Sequence, residues 1–294
     1  MASADPSTTV AVVGHCEWAE FVQVENVPQA GQIVHAETAG LEAAGGGAVA
    51  AVQALRLTGA CRFFTALGDD ESADLAAARL ESNGLELHAV RRSSPQRRAF
   101  VFLDARGERT ITTIGERLGP HGEDPLPWEL LEGSDAVYFT AGDAAALESA
   151  RAARSLVVTV RAQAALAESG VHVDVLVASD NDAGEQYRRG DIEPVPNWVV
   201  KTDGPDGGTL ESADGELTNW SSKPLPGPRG DTYGAGDSFA AGLTCGLGMG
   251  LEVQEAITLG AYCGASAVRG SGPYGAQASA VDLAEWRELY GIPG

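Results

Sequence analysis

The sequence predicts a doubly wound α/β fold, in which helices cover both faces of a mainly parallel sheet. Its second half alternates short apolar runs with alanine-rich stretches of helical length, which is typical of parallel strands joined by crossover helices. Two further regions alternate at a period of two around turn residues and predict small β insertions. No linker divides the chain, so we expect residues 1–294 to form one domain, with insertion strands at about 19–38 and 97–114.

The first half contains both predicted insertions. Val10–Gly14 is an apolar run that ends in glycine, as a buried first strand often does. Phe21–Val27 and Gln32–Glu37 flank the turn Pro28–Gly31, and we expect them to pair as the first insertion. The other predicted elements are a helix over 45–57, a strand over 61–67, a helix from Gly68-Asp69-Asp70-Glu71 to Ser82 that Asn83-Gly84 closes, and a hairpin of 98–104 with 109–113.

The second half supplies most of the predicted sheet. Its four apolar strands are Ala136–Thr140, Leu156–Val160, Val173–Ala178 and Trp198–Thr202. A hairpin over 211–222 and three helices near 234–248, 252–268 and 281–290 complete the chain.

The charge of the chain excludes some classes of partner. There are 41 acidic against 20 basic residues, a net charge of −21, and a field of that sign repels nucleic-acid phosphates and anionic lipid. We therefore expect no nucleic-acid or membrane partner. Four scattered cysteines without a C-x-x-C pair predict reduced thiols, and the N-terminus has no secretory signal, so we expect a cytoplasmic protein.

The segment Arg229–Thr244 carries the strongest chemical signal. Gly234, Ala235 and Gly236 have little or no side chain and stand where a helix-compatible run of small residues begins. The first N–H groups of a helix lack internal acceptors and carry partial positive charge, so an anion can approach them closely here. Asp237 lies at the mouth of this cradle. A carboxylate at that place suits a base that deprotonates an alcohol attacking a phosphoryl group.

The whole string resembles the signature of a known family. Asp231-Thr-Tyr-Gly-Ala-Gly-Asp-Ser-Phe239 is similar to the C-terminal motif of the ribokinase-like (PfkB) carbohydrate kinases, and Gly14, Pro28-x-x-Gly31, Gly45-Gly46 and Gly68-Asp69-Asp70 occur in the family's order. The resemblance implies an ATP-dependent kinase with a β lid over its acceptor and often a homodimer through that lid. It makes Asp237 the catalytic base, residues 234–236 the anion hole, and Gly45 and Gly46 part of the acceptor site.

The resemblance also implies a nucleotide end. Thr202, Gly204 and Gly207 fall where the family places its nucleotide-binding turn, although a plain turn after a strand would have the same composition. Asn181 begins the family's Asn-x-x-Glu motif, which supports magnesium through water. Here Gly184 takes the place of the glutamate, so Asp182 or Glu185 would have to replace it.

A monovalent cation is a further implication of the resemblance. Asp231 and Thr232 match positions that bind potassium in cation-activated members, together with carbonyls of a loop that corresponds here to Arg269–Gly275. Turn geometry alone would also explain the glycines of this loop.

The sugar end departs from the family pattern. Ala19 and Ala50 stand where ribokinase-like enzymes commonly have an Asp and an Asn that bind sugar hydroxyls, and Glu17 and Glu20 would compensate only if the loop shifts. Hydrogen bonds that involve a charged group contribute about 1.5–3 kcal/mol each, so we expect unmodified ribose to be a poor acceptor.

Arginines concentrate around the second insertion, which is unusual in so acidic a chain. They are Arg91, Arg92, Arg97, Arg98, Arg106, Arg109 and Arg117. One interpretation is a solvated basic hairpin. The other is that Arg98 or Arg109 reaches into the cleft and binds an anionic group of the acceptor. The five histidines form no cluster, and we interpret them as structural.

Three functions are compatible with these observations. The leading one is an ATP-dependent kinase that phosphorylates a hydroxymethyl group of a sugar or sugar-like compound. The second is a kinase for a nucleoside or another non-standard alcohol, which Ala19 and Ala50 would favour. The third is a nucleotide-binding regulatory protein without turnover. Gly184, Ala19 and Ala50 favour it, and the intact Asp237 disfavours it. A Rossmann dehydrogenase is disfavoured because no G-x-x-G follows Gly14.

Overall fold

The computed structural model describes residues 8–223 and 227–292 and contains two sheets. Its strands in chain order are β1 (Val10–Val13), β2 (Glu17–Gln23), β3 (Thr38–Ala44), β4 (Cys61–Leu67), β5 (Glu86–Arg91), β6 (Arg98–Leu103), β7 (Arg109–Ile114), β8 (Ala136–Phe139), β9 (Ser155–Thr159), β10 (Val175–Ser179), β11 (Trp198–Thr202), β12 (Gly208–Ser212) and β13 (Leu217–Trp220). Its α-helices are α1 (Gly46–Thr58), α2 (Glu71–Ser82), α3 (Ala144–Ala150), α4 (Gln163–Ser169), α5 (Ala235–Gly248), α6 (Val253–Ala267) and α7 (Ala280–Tyr290).

The larger sheet has the order β13-β12-β11-β10-β9-β8-β1-β4-β5. Its strands are parallel from β5 to β11, and only β12 and β13 run antiparallel. The central strands β1 and β8 are buried along their whole length, which explains their continuous apolar sequences. Two large hydrophobic clusters pack against this sheet, one including α1, α5 and α6 and the other α3 and α4. The predicted doubly wound α/β class is therefore confirmed.

One strand of this sheet was not predicted from the sequence. Strand β5 has the sequence Glu-Leu-His-Ala-Val-Arg, without a continuous apolar run. It lies at the edge of the sheet, pairs with β4 on one side only, and is only partly buried. An edge strand does not need the double-sided hydrophobic pattern that identifies central parallel strands.

The second sheet, which we call the lid, has the order β3-β2-β6-β7. The expected hairpin of 98–104 with 109–113 is present as β6 and β7. The first insertion differs from the prediction, because Gln32–Glu37 is not a strand and β2 pairs instead with Thr38–Ala44. The first pair of lid strands thus spans 17–44 rather than about 19–38. Strand β3 is rich in Ala and Gly, so its β-structure depends on pairing with β2 rather than on local propensity.

The lid is attached to the larger sheet's helices through a small apolar cluster. On its inner face, Ala19, Phe21 and Val101 pack against Tyr233 from the segment before α5. The rings of Phe21 and Tyr233 meet edge to face with centroids 4.8 Å apart. This contact places the inner face of the lid over the N-terminus of α5.

Close packing of α5 against α6 fixes the position of that N-terminus. A Cβ added at Gly260 of α6 would lie 2.7 Å from the carbonyl oxygen of Phe239, and one added at Gly242 of α5 would lie 2.6 Å from Cys263 Sγ. The small residues of both helices therefore allow their backbones to approach more closely than larger side chains would. Within the described residues, none of the helices combines the length and apolar character needed to cross a bilayer.

Candidate active site

The N-terminus of α5 opens into the cleft beneath the lid. Gly234 precedes the helix at φ 74°, a left-handed conformation that favours glycine, and an added Cβ there would lie 2.9 Å from Val49 Cγ1. Gly236, in contrast, is exposed, and an added Cβ would meet no atom within 4 Å. In the described part of the chain, the N–H groups of Gly236 and Asp237 have no hydrogen-bond acceptor. The first turn of α5 therefore has free donors facing open space.

Asp237 lies in this first turn, against the N-terminus of α1. A Cβ added at Gly46 would be 2.8 Å from Asp237 Oδ1 and 3.5 Å from His15 Cε1, so only glycine leaves room for both side chains. Gly45 has φ 88°, and its N–H donates to the Tyr233 hydroxyl at 3.4 Å. The structure thus brings together the predicted acceptor residues Gly45 and Gly46 and the predicted base.

The carboxyl group of Asp237 has an unusual environment. Burial, and then the negative charge of Glu185, raise its pKa from the ordinary value to about 6, while Arg109, Arg161 and Arg117 pull the pKa down. Asp237 is therefore mostly ionised at neutral pH yet binds a proton more readily than an ordinary aspartate. A pKa near the working pH is what a general base requires.

The two lid arginines singled out from the sequence lie on different faces. Arg109 pairs with Leu103 in the sheet register, so both are on the inner face, and Arg109 Nη1 donates to Thr232 Oγ1 at 3.2 Å. Arg98 shares its face with Phe100 and Phe102, opposite the face that packs on Tyr233. The prediction that Arg98 points into the cleft is therefore corrected by the alternation of side chains along β6.

His15 and Arg117 also line this cleft, although the sequence analysis did not single them out as site residues. Arg117 Nη2 lies 3.0 Å from His15 Nδ1 and 3.2 Å from the carbonyl oxygen of Thr140. Burial, and then the charges of Arg117, Arg97 and Arg161, hold the pKa of His15 well below its ordinary value. Both His15 and Thr140 follow the carboxyl ends of central parallel strands, where α/β sheets hold ligands, and this position was the signal in the sequence.

The nucleotide-binding candidates meet at the ends of β10 and β11. The Asp180 N–H donates to the Thr202 carbonyl at 3.0 Å, and a Cβ added at Gly204 would be 3.5 Å from Asn181 Nδ2. Gly204 and Gly207 have φ values of 53° and 91°, and an added Cβ on Gly207 would lie 2.2 Å from the Trp220 carbonyl oxygen. This turn consequently needs both glycines for its own conformation.

Both candidate magnesium-supporting carboxylates bind one arginine. Arg161 Nε lies 2.5 Å from Glu185 Oε1, and Arg161 Nη2 lies 2.5 Å from Asp182 Oδ2. Of the two acids, Glu185 is the one whose charge raises the pKa of Asp237. Within residues 8–223 and 227–292, no group of three or more His, Cys, Asp or Glu side chains is arranged to hold a metal ion.

The candidate potassium loop packs directly on the segment before α5. Asp231 is buried, and its carboxylate accepts from the Gly272 N–H at 2.7 Å and from the Tyr233 N–H at 2.9 Å. Burial raises the pKa of Asp231 above its ordinary value. The Thr232 N–H donates to the Gly107 carbonyl at 3.0 Å, which ties this segment to the lid. The structure therefore places Asp231 beside the 269–275 loop, while Thr232 is hydrogen-bonded to Gly107 and Arg109 of the lid.

Comparison with known proteins identifies the class of this fold and site. The profile of the pfkB family carbohydrate kinase matches residues 7–279. An ATP-dependent ribose-1-phosphate kinase of Halopiger xanaduensis is 27% identical over 281 residues, which cover 87% of this chain and 90% of the relative. The chain belongs to the PfkB family of carbohydrate kinases and is an ATP-dependent kinase of the ribokinase type.

Solved structures of the same fold agree. A microbiome-derived acarbose kinase superposes with a TM-score of 0.78 at 22% identity, covering 96% of this chain and 99% of that one. Ribokinase of Arabidopsis thaliana, solved with ribose and ATP, superposes with a TM-score of 0.72 at 18% identity and covers 95% of this chain and 98% of its own.

The raised pKa of Asp237 predicts a pH-dependent gain in stability for Asp237→Asn. Between the unfolded pKa near 3.8 and the folded pKa near 6, the folded state binds the proton more tightly, so this group's contribution to stability falls as pH rises. Above pH 6 the Asp237 carboxylate is charged in the folded state and lowers the free energy of unfolding by its full amount. The uncharged asparagine of the variant does not have this effect. We expect a higher melting temperature than wild type at pH 8 and no difference near pH 4, by calorimetry. Asp214→Asn, in the exposed β12–β13 turn, is the control, and an equal gain at both pH values would contradict the assignment.

Proposed function

We propose that this kinase transfers the γ-phosphoryl group of ATP to a hydroxymethyl group of a sugar or sugar-like acceptor, with Asp237 as general base. The observation that carries the proposal is the position of Asp237. Its carboxylate adjoins unpaired N–H donors at an open helix N-terminus, lies against Gly46, and has a pKa of about 6.

In the proposed mechanism, each group acts on the atom where charge develops. The acceptor oxygen attacks the γ-phosphorus while its proton passes to an oxygen of Asp237, and ADP leaves as the bond to the γ-phosphorus breaks. Of the predicted anion-hole residues Gly234, Ala235 and Gly236, the N–H of Ala235 donates to the Thr232 carbonyl at 3.4 Å, so the free N–H groups of Gly236 and Asp237 would bind the transferred phosphoryl group. Free N–H donors stabilise that charge without reorganising, because the helix already holds them in place.

The turn formed by Thr202, Gly204 and Gly207, with Asn181 beside it, is our proposed nucleotide site. Asp182 and Glu185 would hold Mg²⁺ through water, and the ion would neutralise charge on the ATP phosphates when bound. Both carboxylates are paired with Arg161, which keeps a cation next to the place where those phosphates must lie.

The hydrogen bonds of Asp231 to Gly270 and Gly272 of the 269–275 loop support a monovalent-cation site at Asp231 and Thr232, with backbone carbonyls as ligands. Potassium would then raise the rate above that in sodium or in a bulky organic cation at equal ionic strength. Equal rates in the three salts would remove this site from the proposal.

A homodimer through the lid is supported by its outer face. Val22, Phe100 and Phe102 line this face, and Leu41 and Ile114 on it are 55% and 48% exposed. An apolar patch of this kind suits a second copy of the same chain. A molar mass near twice 30.3 kDa by light scattering would support the dimer, and a mass of 30.3 kDa would exclude it.

A cytoplasmic location is supported by the four cysteines, which are all buried and free, as expected in a reducing compartment.

A nucleoside or other non-standard alcohol remains the second candidate acceptor. Ala19 and Ala50 are fully buried and offer no hydrogen bond from their side chains, so the acceptor must be bound by other groups. The name of the Halopiger relative gives its acceptor as ribose 1-phosphate, a sugar that already carries a phosphate group. A screen of sugars, sugar phosphates and nucleosides with coupled ADP detection tests the proposal. Binding of ATP without transfer to any of them would favour the regulatory alternative.

Asp237→Asn should retain ATP binding and lose phosphoryl transfer, because a carboxamide cannot accept the acceptor's proton. We expect the turnover number on the best acceptor from the screen to fall by about 10²- to 10⁴-fold, with the ATP dissociation constant from calorimetry little changed. Near-normal turnover would show that another group is the base.

Arg109→Ala should raise the acceptor KM and leave the KM for ATP unchanged, because the guanidinium lies on the inner lid face next to Thr232. A charge-assisted hydrogen bond lost from the acceptor corresponds to a rise of about tenfold or more. Arg106→Ala is the matched control, since Arg106 belongs to the same hairpin, pairs with Asp104 and has a side chain 84% exposed. If both variants gave the same acceptor KM, Arg109 would not contact the acceptor.

A further inference from the structure

Arg117 is a partly buried guanidinium in the cleft without a carboxylate partner in the described chain. Its two hydrogen bonds go to uncharged acceptors, the His15 ring and the Thr140 carbonyl. Burial, and then the charges of Arg161 and Arg97, lower the pKa of Arg117 below its ordinary value, while the charges of Glu17 and Asp237 act in the opposite direction. Taking an unpaired cation out of water is unfavourable, so such a group generally has a function that requires it.

The neighbouring arginines differ from Arg117 in this respect. Arg97 Nε lies 2.7 Å from Glu17 Oε1, and Arg161 is held by Asp182 and Glu185. These two side chains are already neutralised by acids. Arg117 has no such ion pair within the described residues, although the charges of Glu17 and Asp237 act on it from farther away.

The contacts of Arg117 also fix its orientation. A guanidinium only donates hydrogen bonds, so His15 Nδ1 must be the acceptor, which makes His15 neutral with its proton on Nε2. Both contacts use Nη2, and Nε and Nη1 have no acceptor within the described residues. The buried hydroxyl of Thr140, beside this contact, likewise has no partner there. Arg117 is thus held in place by one nitrogen while its other donors remain available.

Asp237, the proposed base, and the Arg117 guanidinium lie in the same cleft. His15 Cε1 and Asp237 Oδ1 lie 3.5 and 2.8 Å from the same point, the position that a Cβ on Gly46 would occupy, and His15 directly contacts Arg117. The charge of Arg117 also acts on the carboxyl of Asp237. A small acceptor with its hydroxymethyl group at Asp237 can therefore place a second group at Arg117.

We propose that Arg117 is the specificity-determining residue of the acceptor site and that it binds an oxyanion carried by the acceptor. This inference rests on the proposed kinase function and narrows its substrate class to sugars that carry a phosphate ester or a carboxylate. Nε and Nη1, which have no acceptor within the described residues, can each donate a charge-assisted hydrogen bond to an oxygen of either anion. The Arg117 guanidinium replaces polar anchoring that Ala19 and Ala50 do not provide, and it selects against the neutral sugar, which would leave the buried cation unpaired.

The test compares matched pairs of acceptors that differ only in the anion. Ribose with ribose 1-phosphate, and glucose with glucose 1-phosphate and gluconate, all of which keep a hydroxymethyl group, are assayed with wild type, Arg117→Gln, Arg117→Lys and the control Arg106→Ala. We expect wild type to prefer an anionic member, with kcat/KM at least about 100-fold above that of its neutral partner. Comparing kcat/KM for the phosphate ester with kcat/KM for the carboxylate then shows which of the two anions the site binds.

The variants should then separate charge from geometry. Arg117→Gln should raise the KM for the anionic acceptor by about 10- to 100-fold, leave the KM for ATP unchanged and reduce the preference over the neutral sugar. Arg117→Lys should recover part of the affinity, because it keeps the charge and loses the fixed Nε and Nη1 donors. Inorganic phosphate should compete with the acceptor in wild type and more weakly in Arg117→Gln, a readout that needs no knowledge of the natural acceptor. Melting curves show whether each variant folds.

Two outcomes would overturn the inference in distinguishable ways. Wild-type preference for neutral sugars, with Arg117→Gln and Arg106→Ala kinetically alike, would refute the anion site while leaving the kinase function intact. Transfer to no acceptor, with ATP still bound, would refute the proposed function itself. If Arg117→Gln failed to fold, equal acceptor KM values in wild type and a folded Arg117→Lys would also contradict the role of the guanidinium donors.

Discussion

Desolvation of the Asp237 carboxylate at the N-terminus of α5 is the constraint on which the site depends. The carboxylate lies where the helix offers free N–H donors, yet burial and Glu185 raise its pKa to about 6. The fold tolerates this because glycine at 46 leaves space for the side chain and because three arginines act on it from different elements. The buried charge lowers the stability of the folded state, and the raised pKa that comes with it suits a general base for phosphoryl transfer.

The second organising feature is how the arginines of the cleft are paired. An acidic chain has to supply local positive charge for phosphates, and it does so with side chains from the lid and from the ends of strands. Arg161 is held by Asp182 and Glu185, and Arg97 by Glu17, so these charges are positioned and partly neutralised. Arg117 is hydrogen-bonded to His15 and Thr140 instead and forms no ion pair in the described part of the chain, which is why we propose that it binds an anion of the acceptor.

The lid shows why the number of arginines in a segment does not predict which of them face the cleft. Arg98 and Arg109 are near each other in sequence and both lie in lid strands, but the alternation of side chains turns Arg98 outward and Arg109 inward. The same register exposes apolar side chains on the outer face and packs Phe21 and Val101 on Tyr233. One small sheet thereby presents different chemistry on its two faces.

The sequence by itself determined the fold class, the central strands, the main helices and the family, because each depends on a local pattern. Apolar runs mark buried parallel strands, and the string from Asp231 to Phe239 contains its whole signal within nine consecutive residues. Tertiary structure decided what depends on partners distant in the chain. Edge strand β5 and the Ala- and Gly-rich β3 exist because neighbouring strands pair with them. The meeting of His15, Arg117 and Asp237 needed the sheet to bring three separate segments together, since no spacing along the chain encodes a contact between residues 102 positions apart.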